Sequence, residues 1–156
     1  LSSTAFGIIC GCQLGALLCA SAKKIKIKTF VFRDDEYSPA KNFADYFICS
    51  KYDDDEKLNE FVSMVDTITF EFENIPFDVL SKLNKRKKVE PKPEINKIVQ
   101  HRYFEKNFLL ENNIRTTKFK NITNENEIKN NKDLLQGILK TSTHRYDGKA
   151  KNKLEN

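Results

Sequence analysis

The chain has 156 residues, with 27 Lys or Arg against 22 Asp or Glu, for a formal net charge of +5. Hydrophobic residues at 39%, charged residues at 31% and a mean hydropathy of −0.58 exclude a polytopic membrane protein, and twelve Phe with five Tyr exclude wholesale disorder. Four Cys and five Gly exclude disulfide-scaffold and collagen-like classes.

Phe6-Gly7-Ile8-Ile9-Cys10 predicts a short buried strand, a glycine-containing turn, and an Ala/Leu-rich helix over 13–24. This opening is uncharged and ends Ala20-Ser21-Ala22, like a cleavage site, but no cation precedes it and Lys23 follows. It therefore predicts a folded element, not a signal peptide or membrane span. Three of the four Cys (Cys10, Cys12, Cys19, Cys49) lie in this stretch, where thiols pass as small hydrophobes; a reducing, cytoplasmic home follows. Cys10-x-Cys12 has no second pair and no nearby His, so no metal site is predicted.

Strands are expected at 28–32, 46–49 and 67–72, with a helix over 53–65 and another running from an Asn74 cap to about 83. Strands alternating with helices predict a doubly wound, mostly parallel α/β sheet. Residues 84–93, basic and holding Pro91 and Pro93, form the expected boundary. The run Lys85-Arg86-Lys87-Lys88 has no interleaved aromatic residues and reads as a solvated helix end, so no nucleic-acid partner is predicted. A long helix over 94–112, a strand near 117–119, a polar helix over 125–135 and a strand over 137–141 complete the expectation.

Four places can carry chemistry. Cys10-Gly11-Cys12-Gln13-Leu14-Gly15 stands where a dinucleotide fingerprint would, with Asp34 about 20 residues on, but Cys occupies two Gly positions. Thr69-Phe70-Glu71-Phe72-Glu73-Asn74-Ile75-Pro76 puts Glu71 and Glu73 on one face, at the carboxyl end of a strand. Arg102 and Lys106 lie four apart on a helix face continuing from Ile95, Ile98 and Val99, with His101 off that face and on the surface. Lys140 ends a strand before a loop containing Asp147-Gly148, which fits either a phosphate-covering hairpin or an ordinary exposed one.

Together these segments resemble the 5-(carboxyamino)imidazole ribonucleotide synthase family of ATP-grasp enzymes. The family's G-I-I-G-G-G-Q-L-G is met by Gly7 to Gly15, its E-F-E-N-[IV]-P by Glu71 to Pro76, and its P-[SK]-P-E by Pro91-Lys92-Pro93-Glu94. Its D-R-x-x-x-K is met by Arg102 and Lys106, and its V-L-K-T and Y-D-G-K-G-Q by Ile138 to Thr141 and Tyr146 to Lys151. The resemblance implies a Rossmann-like pre-ATP-grasp domain over 1–90 and the start of an incomplete ATP-grasp domain over 91–156. It implies ATP-dependent carboxylation of aminoimidazole ribonucleotide by bicarbonate, with Mg²⁺ held by residues beyond this stretch, in a cytoplasmic homodimer. Gln13, Leu14 and Glu73 then match substrate-binding positions. Arg102, Lys140, Arg145, Tyr146, Asp147, Gly148, Lys149, Ala150 and Lys151 match ATP-binding ones; no catalytic residue is implied within the chain.

Cys10, Cys12, Arg145 and Ala150 replace family glycines, and Lys151 replaces Gln. A substitution where the turn requires φ > 0 or close backbone approach costs on the order of 1 kcal/mol or more. The family continues for as many residues again or more, so the chain alone is expected to be catalytically silent. The alternatives are an inactive truncated or decayed copy, a different ATP-grasp ligase, and a nicotinamide-binding Rossmann protein.

Overall fold

Adjacent apolar residues on a strand point to opposite faces, so runs such as Ile8-Ile9 and Phe30-Val31-Phe32 demand cover on both sides. The computed structural model, which describes residues 4–130 and 137–143 and the backbone of 151–153, provides that cover. Strands β1 (Ala5–Ile9), β2 (Lys28–Arg33), β3 (Tyr46–Cys49), β4 (Thr67–Phe70) and β5 (Lys88–Val89) form a parallel sheet in the order β3-β2-β1-β4-β5. The doubly wound α/β prediction holds.

On one face, Ile9, Phe30, Phe32 and Ile68 pack with Leu58, Phe61 and Val62 of α2 (Asp55–Met64) and with Val79, Leu80 and Leu83 of α3 (Phe77–Asn84). On the other, Ile8 and Val31 pack with Ala16 and Cys19 of α1 (Gln13–Lys24) and with Ala40 of a 3-10 turn, Pro39–Asn42. Gly7 is small for a reason: a Cβ there would lie 2.7 Å from Phe61 Cζ. Helix α2 is capped by Asp54, whose carboxylate accepts from the Lys57 amide at 3.0 Å.

The chain divides into two units, Leu1–Asn96 and Lys97–Asn156. Helix α4 (Pro93–Val99) spans the division, and its buried residues are Pro93 and Asn96. The second unit holds α5 (Arg102–Glu111), α6 (Glu125–Asn130) and an antiparallel pair, β6 (Ile138–Lys140) with β7 (Lys151–Lys153), in which Lys140 stands opposite Lys151. Among the described residues, no helix is long and apolar enough to cross a membrane.

Several elements differ from expectation. Strand β5 sits in the stretch read as a boundary; with Val89 its single buried residue, it carries no alternation to detect. Strand β4 stops at Phe70, which frees Glu71, and α3 starts after Pro76, not Asn74. The expected 94–112 helix is two helices, because His101 adopts an extended conformation (φ −118°, ψ 110°) and the Arg102 amide donates to Ser142 O at 2.8 Å. Asn96, not Ile95, faces the interior, where its Nδ2 donates to Ile75 O at 2.9 Å; Ile95 is 50% exposed. His101 is half-buried and stacks on Phe104 with ring centroids 4.3 Å apart, so it is no simple surface residue. Residues 117–119 form no strand, having no pairing partner among the described residues, and 131–135 of the expected polar helix lie outside those residues.

Candidate functional site

The first unit places its polar groups at the carboxyl ends of β1, β2 and β4, where open α/β sheets receive ligands. Leaving β1, the chain turns through Cys10 (φ 75°), Gly11 and Cys12 into α1, whose first residues, Gln13 and Leu14, are exposed. Of the two Cys at family glycine positions, only Cys10 needs the left-handed conformation; Cys12, capping α1, has an ordinary φ of −66°. Gly11 is fixed by close approach: a Cβ would lie 2.7 Å from Ser38 Oγ and 2.8 Å from Val31 Cγ1. Its carbonyl accepts from Ala40 N at 3.0 Å and from the Ser38 hydroxyl.

Five polar side chains converge beneath this turn. Glu71 Oε1 accepts from the Cys12 amide at 2.9 Å. The Sγ atoms of Cys10 and Cys12 stand 3.2 Å apart, and Arg33 Nη1 donates to both, at 2.9 Å to Cys12. Burial pushes the Cys10 thiol up to about 12, reinforced by its hydrogen bond with Cys12 and the Glu71 charge. Burial works against the Arg33 charge, yet Cys10 and Cys12 hold its guanidinium above the ordinary value. Tyr52, raised by burial and then by Cys10 and Asp34, closes the group; its buried Oη has no hydrogen-bond partner among the described residues. Asp34 pairs with Arg33 Nε at 3.4 Å.

Glu73 is half-buried beyond β4, and Glu71 reaches the turn. Period-two alternation places both Glu on one face and cannot say which one the end of the strand releases. Arg33 and Tyr52 carry no motif; their one signal is position, Arg33 as the last residue of β2 and Tyr52 three residues beyond the end of β3.

In the second unit, a cavity of about 640 Å³ lies among α5, the segment 117–122 and β6, a size in the range that holds a drug-sized ligand. It is lined by Arg102 and Lys106 on one helix face, Lys140 on β6, and apolar Leu109, Ile122 and Leu139. The structure therefore brings Arg102 and Lys140 together across 38 residues of sequence. The tie is explicit: besides the Arg102 amide on Ser142 O, Arg102 Nε donates to Thr141 O at 3.3 Å. Lys106 Nζ donates to Thr117 Oγ1 at 3.2 Å and to Thr116 Oγ1. Arg145, Tyr146, Asp147, Gly148, Lys149 and Ala150 lie outside the described residues, and only the backbone of Lys151 is described.

A family profile, the ribonucleotide synthetase preATP-grasp domain, matches residues 3–100. The chain belongs to this family. Beyond the matched domain, the chain is 36% identical over 152 residues to the N5-carboxyaminoimidazole ribonucleotide synthase of Staphylococcus epidermidis, across 92% of this chain and 39% of that one. It is 33% identical over 150 residues to the bifunctional purine synthesis protein purC/E of Dictyostelium discoideum, across 95% of this chain and 15% of that one. The crystal structure of N5-carboxyaminoimidazole synthetase from Staphylococcus aureus complexed with ADP superposes with a TM-score of 0.88 at 32% identity, covering 98% of this chain and 42% of that one. The chain thus spans about two fifths or less of these relatives' lengths, and the preATP-grasp fold is common ground with the solved synthetase.

Proposed function

We propose that this chain is the N-terminal part of an ATP-dependent carbon–nitrogen ligase that carboxylates 5-aminoimidazole ribonucleotide with bicarbonate in purine biosynthesis. In this reading residues 1–90 are the preATP-grasp domain, with Gln13, Leu14 and Glu73 at the ribonucleotide. Residues 91–156 begin the ATP-grasp domain, with Arg102, Lys140 and the 145–151 loop at ATP. ATP phosphorylates bicarbonate; the substrate amine takes the carboxyl carbon and phosphate leaves. A cytoplasmic homodimer belongs to the same reading.

The observation that carries it is the cavity lined together by Arg102, Lys106 and Lys140 and by apolar Leu109, Ile122 and Leu139, a mixture that suits a polyphosphate and a base. Charge-assisted hydrogen bonds to phosphate are worth about 1.5–3 kcal/mol each, so these side chains hold and orient the nucleotide. Mg²⁺ would offset charge on the transferring phosphoryl group. Among the described residues, the cavity lining offers it one carboxylate, Glu105, beside several cations, and these residues do not make a metal seat.

The test is equilibrium titration of the chain with a fluorescent ATP analogue, with aminoimidazole ribonucleotide and with NAD⁺. Saturable ATP binding that falls about tenfold or more in Arg102→Met and in Lys140→Met is expected, from the loss of one charge-assisted contact each. Affinity for NAD⁺ with none for ATP or the ribonucleotide overturns the reading, as does ATP binding indifferent to both substitutions.

A further inference from the structure

The side chains beneath the β1–α1 turn form a donor set that ATP-grasp chemistry does not use. Cys10 Sγ, Cys12 Sγ and a carboxylate oxygen of Glu71 all lie within 4.8 Å of one another, and the two sulfurs are 3.2 Å apart. A tetrahedral ion with bonds of about 2.3 Å to sulfur and about 2.0–2.2 Å to oxygen needs a sulfur–sulfur separation of about 3.8 Å and sulfur–oxygen separations of about 3.6 Å. The sulfurs, at 3.2 Å, need part by only about half an ångström, and small side-chain rotations bring the carboxylate to the same ion. Two thiolates and one carboxylate select a borderline-to-soft divalent ion of the zinc or cadmium class, not magnesium or calcium.

We infer that Cys10, Cys12 and Glu71 bind one zinc-class divalent cation, with a fourth position left to solvent or an added ligand. The orienting contacts such a site requires are in place. Glu71 is held by the Cys12 amide at 2.9 Å, and Arg33 donates to both sulfurs, as N–H groups do to metal-bound thiolates. Charge balances as well. On binding, the ion's two positive charges replace two thiol protons, which leave to solvent, and the cluster's net charge is unchanged. Access runs past Cys12 and Glu71, which are half-buried, to Cys10, which is fully enclosed. Sequence spacing alone misses the site because its third ligand lies 59 residues beyond Cys12.

The test uses the whole chain, reduced with a phosphine and exchanged anaerobically into reductant-free buffer, titrated with Cd²⁺ and separately with Zn²⁺. Expected are one equivalent of Cd²⁺ with a thiolate-to-cadmium charge-transfer band, and loss of Cys12 alkylation when Zn²⁺ is present, read by peptide mass spectrometry. Exposed Cys49 stays reactive in both states. Cys12→Ser abolishes the band, Glu71→Gln weakens binding about tenfold or more, and Cys49→Ser changes nothing; circular dichroism checks that each variant is folded. Should Cys12→Ser misfold, Cys12 protection in the unaltered chain decides the question. Absence of the band, Cys12 alkylation indifferent to Zn²⁺, or binding that survives Cys12→Ser in a folded chain overturns the inference.

Discussion

The left-handed conformation of Cys10 makes a prediction that separates backbone from side chain. At φ 75° an L-residue with a Cβ bears a cost of about 1–2 kcal/mol that glycine does not. Replacing Cys10 by Ala and by Gly removes the sulfur in both cases, so their difference reports the Cβ alone. Cys19, equally buried but in the interior of α1, is the control. There Gly is expected to be less stable than Ala by about 1 kcal/mol from helix propensity, plus about 0.8 kcal/mol for the lost methyl burial. Cys10 lies outside the helix, so relief of the left-handed strain is set against the methyl burial alone, and Gly comes out level with Ala or better. The double difference between the two sites should therefore be about 2–3 kcal/mol. Native-state hydrogen exchange of the β1 and β2 amides is the assay, since it reads the opening free energy of the sheet independently of the second unit. A double difference of about 1 kcal/mol or less, which helix propensity alone supplies, would refute the claim that the family glycine at this position serves backbone geometry.

Replacing Phe61 of α2, fully buried against the sheet, by Ala should cost about 3–5 kcal/mol of stability; a loss under about 1 kcal/mol in denaturant unfolding would mean the core re-forms without it. Asn96→Ala removes the side-chain hydrogen bond to the buried Ile75 carbonyl and should cost about 0.5–1.5 kcal/mol in the same measurement. The Asp54 carboxyl sits below its ordinary value of 3.8 because the Ser50 hydroxyl and the Lys57 amide donate to it. A lowered folded-state value means its contribution is full above pH 3.8 and fades as pH falls through the folded value. The stability gap between wild type and Asp54→Asn should thus be constant near neutrality and close in acid; a gap that widens in acid would reverse the sign.

The sheet was legible because its signal is redundant. β1 and β2 are runs whose successive residues are buried on opposite faces, β4 buries Ile68, and β3 falls at the expected residues. Strand β5 was not, since two residues with one buried Val look like any basic linker. The break at His101 was equally hidden: what stops the helix is a backbone bond to Ser142, and no local propensity encodes a partner 40 residues away. At the candidate sites the cations were legible as helical and strand-end positions, and the cavity joins Arg102 to Lys140. The Glu71 contact with the Cys12 amide, and the parts of Arg33 and Tyr52, were not, because where a side chain goes once a strand ends depends on the turn it meets.

The Glu71 contact also bears on why a Rossmann-like turn need not hold a dinucleotide. The amides that open a helix are free donors, and with the helix dipole they ordinarily receive a phosphate. Here a carboxylate already accepts from the amide of Cys12, the cap of α1, at 2.9 Å, and presses to 3.2 Å from the position of a Cβ on Gly15. A pyrophosphate brought to this turn would meet a negative charge where the fold normally supplies a donor. The obstruction is therefore electrostatic as well as steric. Restoring glycine at both Cys10 and Cys12 removes the thiol side chains but leaves the carboxylate, so the double variant is expected to bind NAD⁺ no better than the parent chain. Calorimetric titration of the double variant, and of the same variant carrying Glu71→Gln, tests the point. Appreciable NAD⁺ affinity in the first would show that the thiols, not the charge, had closed the turn.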